Sequence, residues 1–281
     1  MTTLVIGARG SIGRAVLEQL LEAGEPVRAS VRDPAAADLP PGVPVVALDL
    51  TEAATLRPAL RGVDRVFLYA PPGRAAAEAF AEAARDAGVG DVVLLSSGSV
   101  LLAYAAGNPI AEEHRAVERT LADSGLRLTP IRPLVLATNT INWAPSIRRP
   151  GVVRLVRPDS ATAPVHERDV AAVAVAALGG TGDPAVTGVL TGPEPLTPRR
   201  QVELIAQEIG RPIAVEELSD AEGRAHLRRF LPPRIADATV DLTLAQDRDG
   251  DPAATTAVAQ VLGRPPAPFA DWVREHAADF R

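Results

Sequence analysis

Six short apolar runs punctuate the first half of the chain, at 3–6 (TLVI), 27–31 (VRASV), 43–48 (VPVVAL), 65–69 (RVFLY), 92–96 (VVLLS) and 126–131 (LRLTPI). Between several of them lie amphipathic stretches, clearest at 12–23 and 74–87, with Gly24 and Gly88 as helix stops. Strand-length runs alternating with helices of this length predict a parallel sheet covered on both faces. The runs are apolar almost throughout, as strands buried on both sides require. After Pro133 the rhythm changes. Residues 134–151 read as helix and loop, 152–156 as a short strand, and 167–178 as a strong helix started by Asp169. A last sheet strand is expected at 188–192, a helix capped by Thr197 begins at Pro198, and 213–218 reads as a short strand. The remainder reads as helical to Arg281.

Composition narrows the class. Of 281 residues 47% are hydrophobic, enough for a sizeable core, but aromatics are only 3%, so that core is built of Ala, Val and Leu. A net charge of −6 argues against nucleic-acid binding, which needs a basic face. There is no cysteine, which removes disulfides and thiol chemistry, and the four histidines show no metal-ligand spacing, so no metal is expected. The N-terminus runs straight into a strand, leaving no room for a signal peptide. No apolar run approaches the ~20 residues that span a bilayer. A cytoplasmic protein with a small-molecule partner, no membrane and no nucleic acid is the expectation.

The most informative motif is LVIGARGSIGRAV, which sets Gly7, Gly10 and Gly13 between the first strand and first helix. Such a loop needs a tight turn at Gly7, lets a pyrophosphate approach the backbone at Gly10, and needs close packing at Gly13. The amides of Ser11 and Ile12 at the helix start then face the phosphates. Together with the alternating pattern, this predicts an α/β Rossmann-type doubly wound parallel sheet with a smaller, α-rich C-terminal lobe for substrate. The sheet domain is expected at 1–136 plus 165–192, and the lobe at 137–164 plus 193–281. The second strand ends SVRDP, with Arg32 before Asp33. An arginine fork here suits a ribose 2′-phosphate, and Arg9 can reach it from the other side. NADP(H) is therefore preferred, while Asp33 keeps NAD(H) open.

The chain is similar to the NmrA-like family of atypical short-chain dehydrogenases/reductases over nearly its whole length. The matching landmarks include GARGSIGR, VRDP, LDLTE, YAPPG, VLLSSGS, HRAVERTLADSGLRLTPIRP, TNTINW, PVHERDVAAVAVAAL and FADWVREHA. The resemblance implies that Asp49 and Leu50 lie beside the adenine and Ala70 and Pro71 beside a cofactor ribose. It also implies that Ser96, Ser97 and Pro133 border the nicotinamide. The family holds working reductases of quinones and other conjugated compounds, and also non-catalytic nucleotide sensors.

Catalytic short-chain reductases carry a tyrosine that protonates the developing alkoxide and, four residues on, a lysine that holds the ribose. Aligned on ERTLADSGL, those positions are Ile110 and His114, and the chain contains no lysine at all. Tyr104 falls six residues early, in a loop ahead of a helix that Pro109 starts. Three side chains are candidate replacements. His114 either bonds the ribose or donates a proton, or else it is a surface histidine pairing with Glu118 one turn on. Tyr104 either donates a proton or caps packing. Ser97 either bonds a substrate carbonyl or simply ends its strand. In the lobe, Asn139 and Trp143 are expected to face the cleft, Trp143 stacking on a flat substrate or anchoring the lobe. His166 reads as a capping or interdomain contact, and EEHRAVER as a solvated helix face.

Losing the Tyr–Lys pair penalises ketone reduction more than quinone or enone reduction, where charge is delocalised and water supplies protons. The expectation is an NADPH-dependent oxidoreductase acting on a flat, conjugated or quinone-like molecule. The alternatives are a nucleotide-sensing regulator and a non-redox enzyme on the same fold. A homodimer is left open.

Overall fold

In the computed structural model, which describes residues 1–249 and 254–281, the apolar runs form one parallel sheet. Its strands are β1 (Thr3–Ile6), β2 (Val27–Val31), β3 (Val45–Ala47), β4 (Arg65–Tyr69), β5 (Asp91–Leu95), β6 (Arg127–Pro133) and β8 (Val189–Leu190). Their spatial order is β3-β2-β1-β4-β5-β6-β8, and every pairing is parallel. The chain winds outward from β1 to β3, then restarts on the other side at β4. The order thus reverses between β1 and β4, the crevice where such sheets bind ligands.

The strands alternate sides as pleating demands. Val5, Phe67, Val93, Leu95 and Ile131 point to one face, under α1 (Ser11–Glu22) and α6 (Glu167–Leu178). Leu4, Ile6, Val66, Leu68, Val92 and Leu94 point to the other, under α2 (Ala53–Leu60), α3 (Gly73–Ala87) and α4 (Pro109–Ala122). Both sets are buried, which is why the strands lack a polar alternation. Each fully buried Leu or Phe contributes about 1.5–3 kcal/mol. The two outermost strands are shorter than the apolar runs suggest, β3 by three residues and β8 by three, because an edge strand has a ladder on one side only.

A third cluster gathers Ile147, Val153, Val202, Ile205, Phe269, Trp272 and Phe280. It draws on α5 (Ala144–Arg148), β7 (Val152–Leu155), α7 (Pro198–Ile209), α11 (Phe269–Glu275) and α12 (Ala277–Phe280). β7 pairs in parallel with β9 (Ala214–Glu217) as a separate two-stranded sheet. α8 (Asp220–Leu227) and α9 (Pro233–Asp249) follow, and Asn108 reaches the Ala238 carbonyl of α9 from the start of α4. Within the C-terminal span, α10 (Ala257–Leu262) joins the first core through Ala257 and Val258 rather than the third. The expected helix across 250–253 lies outside the described residues. Among the described residues no helix is long and apolar enough to cross a membrane.

Candidate functional site

The glycine loop lies at the carboxyl end of β1, beside the crevice. Gly7 has φ +86°, a conformation that side chains disfavour, and its carbonyl accepts the Gly10 amide at 2.9 Å, closing the turn. A Cβ on Gly13 would overlap that same carbonyl oxygen. Gly13 therefore lets α1 pack onto the turn itself, and any larger residue there would push the helix off the loop. Gly10 is the N-cap of α1 and no side chain caps that helix. Its first amides are left free for an anion, with the helix dipole behind them. This cradle fits a dinucleotide pyrophosphate.

At the end of β2 the two candidate residues have separate fates. The Asp33 carboxylate accepts the Ala35 amide at 3.0 Å, capping the short turn Pro34–Ala36. Arg32 is exposed and, among the described residues, has no hydrogen bond or ion pair. Arg9 is likewise exposed. A pocket of about 440 Å³ opens beside the loop, lined by Arg9, Ser11, Arg14, Asp38, Glu167 and His276 among others. A larger groove of about 540 Å³ runs between α3 and α4 but touches no candidate residue. Asp49 accepts from the Thr51 hydroxyl and amide, which hold it below the usual carboxylate range; Arg32 adds a smaller pull. Leu50 and Ala70 pack against the second core and Pro71 is buried.

The strand-end serines differ in role. Ser96 is buried and its hydroxyl donates to Glu118 at 2.5 Å, so it is turned into the protein. Ser97 lies half-buried, its hydroxyl paired with that of Ser99 at 2.9 Å and accepting the Ser99 amide. Pro133 ends β6, paired with Leu190. Glu118 also takes both ends of the Arg132 guanidinium, at 2.9 and 2.7 Å, and Arg132 reaches the Thr187 carbonyl at 2.5 Å. The surface pairing of His114 with Glu118 is thereby corrected: a buried arginine outcompetes a histidine for the carboxylate. EEHRAVER is correspondingly not a fully solvated face, since Glu118 keeps only 14% of its side-chain exposure.

His114 sits on α4, half-buried. Burial lowers its pKa by more than Glu113 and Glu118 raise it, so the imidazole is neutral at pH 7. Tyr104 lies in the short turn Ala103–Ala105 before α4, half-buried. Asn108 caps α4 and Pro109 opens it, as the sequence pattern expects. Asn139 is exposed, and Trp143 packs partly buried against the third core.

One cluster is only partly legible in the sequence. His166 caps α6 by accepting the Arg168 amide, as its capping reading expects, and Asp169 does not start the helix. Its other nitrogen lies 3.4 Å from Glu275. Glu167 beside it is buried, accepting the Trp272 indole N–H at 2.9 Å and lying 3.1 Å from His276. His276 stacks on Trp272 with centroids 4.3 Å apart. The His166 Nδ1 also lies 3.2 Å from Glu167, and one nitrogen cannot accept from Arg168 and donate to Glu167 together. Neutral His166 therefore caps the helix, and protonated His166 pairs with Glu167. These partners stand about a hundred residues apart in sequence, and no local signal links them.

Comparison with known proteins matches residues 7–180 to the NAD(P)H-binding family model. The chain is 40% identical to the (4-alkanoyl-5-oxo-2,5-dihydrofuran-3-yl)methyl phosphate reductase of Streptomyces griseus, covering 99% of this chain and 98% of that one. It is 32% identical to the NAD(P)H azoreductase of Xenophilus azovorans, over 99% and 98% of the two chains. Among solved structures, the NADPH-dependent quinone oxidoreductase of Escherichia coli in complex with NADPH superposes with a TM-score of 0.79. Identity to it is 26%, covering 98% of this chain and 99% of the other.

Proposed function

The chain belongs to the NAD(P)H-binding family, in its NmrA-like group of atypical short-chain dehydrogenases/reductases, and from that premise we infer that it is an NADPH-dependent oxidoreductase reducing a conjugated or quinone-like small molecule. The observation that carries the reading is the pairing of a sterically closed glycine cradle with an exposed Arg32, which among the described residues makes no hydrogen bond or ion pair, beside a carboxylate already engaged as a cap. With Asp33 bonded to its own turn, the ribose-facing position offers a cation rather than an acceptor, which favours a 2′-phosphate over a free 2′-hydroxyl. Gly7, Gly10 and the first amides of α1 hold the pyrophosphate, with Arg9 and Arg32 at the 2′-phosphate. When bound, the cofactor supplies a hydride from its nicotinamide.

The chain's own residues orient that cofactor. A neutral His114 serves as a hydrogen-bond donor toward the nicotinamide ribose, part of the role a lysine has in the usual pair. With Ile110 at the usual tyrosine position and a neutral His114, the reading favours a substrate that accepts hydride without strong proton donation. A dihydrofuranone whose double bond is conjugated to two carbonyls, an azo compound and a quinone, named for the relatives, all meet that condition. The third core, with Asn139 and Trp143 at its edge, forms the substrate lobe. The test is loss of reduced-nicotinamide absorbance with NADPH and a panel of a quinone, an azo dye, an acyl butenolide and a simple ketone. Turnover of conjugated acceptors with the ketone inert is expected. Tight nucleotide binding without turnover of any acceptor would overturn the reading.

A further inference from the structure

Tyr69 is the last residue of β4 and is 57% exposed, an aromatic side chain left open to solvent. β1 and β4 pair in register at Val5 and Phe67, so two residues further along both strands Gly7 stands beside Tyr69. Side chains two apart on a strand share a face, which puts the Tyr69 ring on the side of α1, with Phe67. The neighbours agree: a Cβ on Gly7 would lie 3.0 Å from the Tyr69 Cβ and 3.5 Å from its Cγ. The first glycine of the loop thus does two things. It makes the turn, and it vacates the space in which the ring is seated.

This seat lies at the reversal of strand order between β1 and β4, the place where a dinucleotide must cross the sheet edge. Among the described residues the Tyr69 side chain has no hydrogen-bond or ring partner within the protein. An exposed aromatic in a ligand crevice gains by being covered, and its hydroxyl supplies one polar contact. The chain also lacks the lysine that would otherwise fasten the cofactor, so anchoring has to come from other groups. We propose that Tyr69 is a cofactor-anchoring residue whose ring packs on the dinucleotide beside Gly7 and whose hydroxyl donates to its pyrophosphate. The proposal rests on the NADPH reading above and adds a contact that is indifferent to the 2′-phosphate.

The test is calorimetric titration of NADPH and NADH into the wild type and the Y69F, Y69A and R32A variants. A second readout is nitration of tyrosine by tetranitromethane with and without NADPH, located by peptide mass. Y69F should weaken both nucleotides about 10-fold, the loss of one hydrogen bond to a charged acceptor, and Y69A about 30-fold or more. R32A should weaken NADPH alone. Tyr69 should be nitrated in the free protein and protected by NADPH. Wild-type affinity in Y69A, or nitration unaffected by nucleotide, would overturn the proposal while an R32A effect left the cofactor reading standing. Absence of nucleotide binding by the wild type would overturn both.

Discussion

Replacing Glu118 by alanine probes the polar network that ties α4 to the sheet. The substitution removes a carboxylate that accepts two bonds from Arg132 and one from Ser96. Arg132 and Glu118 each keep 14% side-chain exposure, so the stranded guanidinium has little access to water and, among the described residues, retains the Thr187 carbonyl alone. Removing one partner of a buried pair costs about 3–5 kcal/mol, and the residual exposure places this pair near the lower figure, about 3 kcal/mol. The orphaned Ser96 hydroxyl adds about 1 kcal/mol. A loss of about 4 kcal/mol is a large part of the 5–15 kcal/mol typical of a folded domain. For a chain of this size it corresponds to a fall in Tm of roughly 8 °C. Urea denaturation followed by circular dichroism measures it directly, with an unchanged slope showing that the change lies in the folded state. The double variant Glu118→Ala, Arg132→Met should recover part of the loss, because it removes the unpaired charge. A single-variant loss below about 1 kcal/mol would refute the reasoning and show that water reaches Arg132 freely.

Gly13→Ala should abolish detectable nucleotide binding in calorimetry while the protein stays folded by circular dichroism, since the added methyl overlaps the Gly7 carbonyl. Arg32→Ala should raise the KM for NADPH about 10- to 100-fold and leave that for NADH within about 2-fold, the size of a lost charge-assisted contact; steady-state kinetics with both cofactors decides it. Burial lowers the His166 pKa, but the hydrogen bond and charge of Glu167, with Glu275 and Asp169, outweigh it and the net shift is upward. A raised histidine stabilises fully below the unfolded value of about 6.5, and the contribution fades as pH climbs through the folded value. Urea midpoints should therefore fall from pH 6 toward pH 8 by more in the wild type than in His166→Asn, which keeps a capping side chain; equal slopes would remove the role. His114→Ala should raise the KM for NADPH a few-fold, and wild-type kcat should show no inflection near pH 7, because the imidazole is already neutral there. A clear inflection that vanishes in the variant would restore His114 as the proton donor.

What the sequence alone determined about this protein follows from short-range rules. Apolar runs of strand length, glycine stops and proline starts are local, so β1, β2, β4 and the helices from Gly73 and Pro109 lie where the pattern puts them. The glycine loop belongs to the same class, because a turn and the helix after it are settled within a dozen residues. The tertiary structure decided which partner each polar group takes. Glu118 has His114 one turn away on its own helix, yet it holds Arg132 and Ser96, because the sheet brings a buried guanidinium and hydroxyl to it and burial favours the fully compensated charge. Glu167, His166, Trp272 and His276 meet only after the C-terminal helices fold back against α6. Tyr69 looks like one more apolar strand residue in RVFLY, and only the reversal of strand order beside Gly7 leaves its ring open at the crevice. Local pattern specifies an element and its facing, whereas the competition for buried charges and the crossing point of the sheet are long-range, and they place the chemistry.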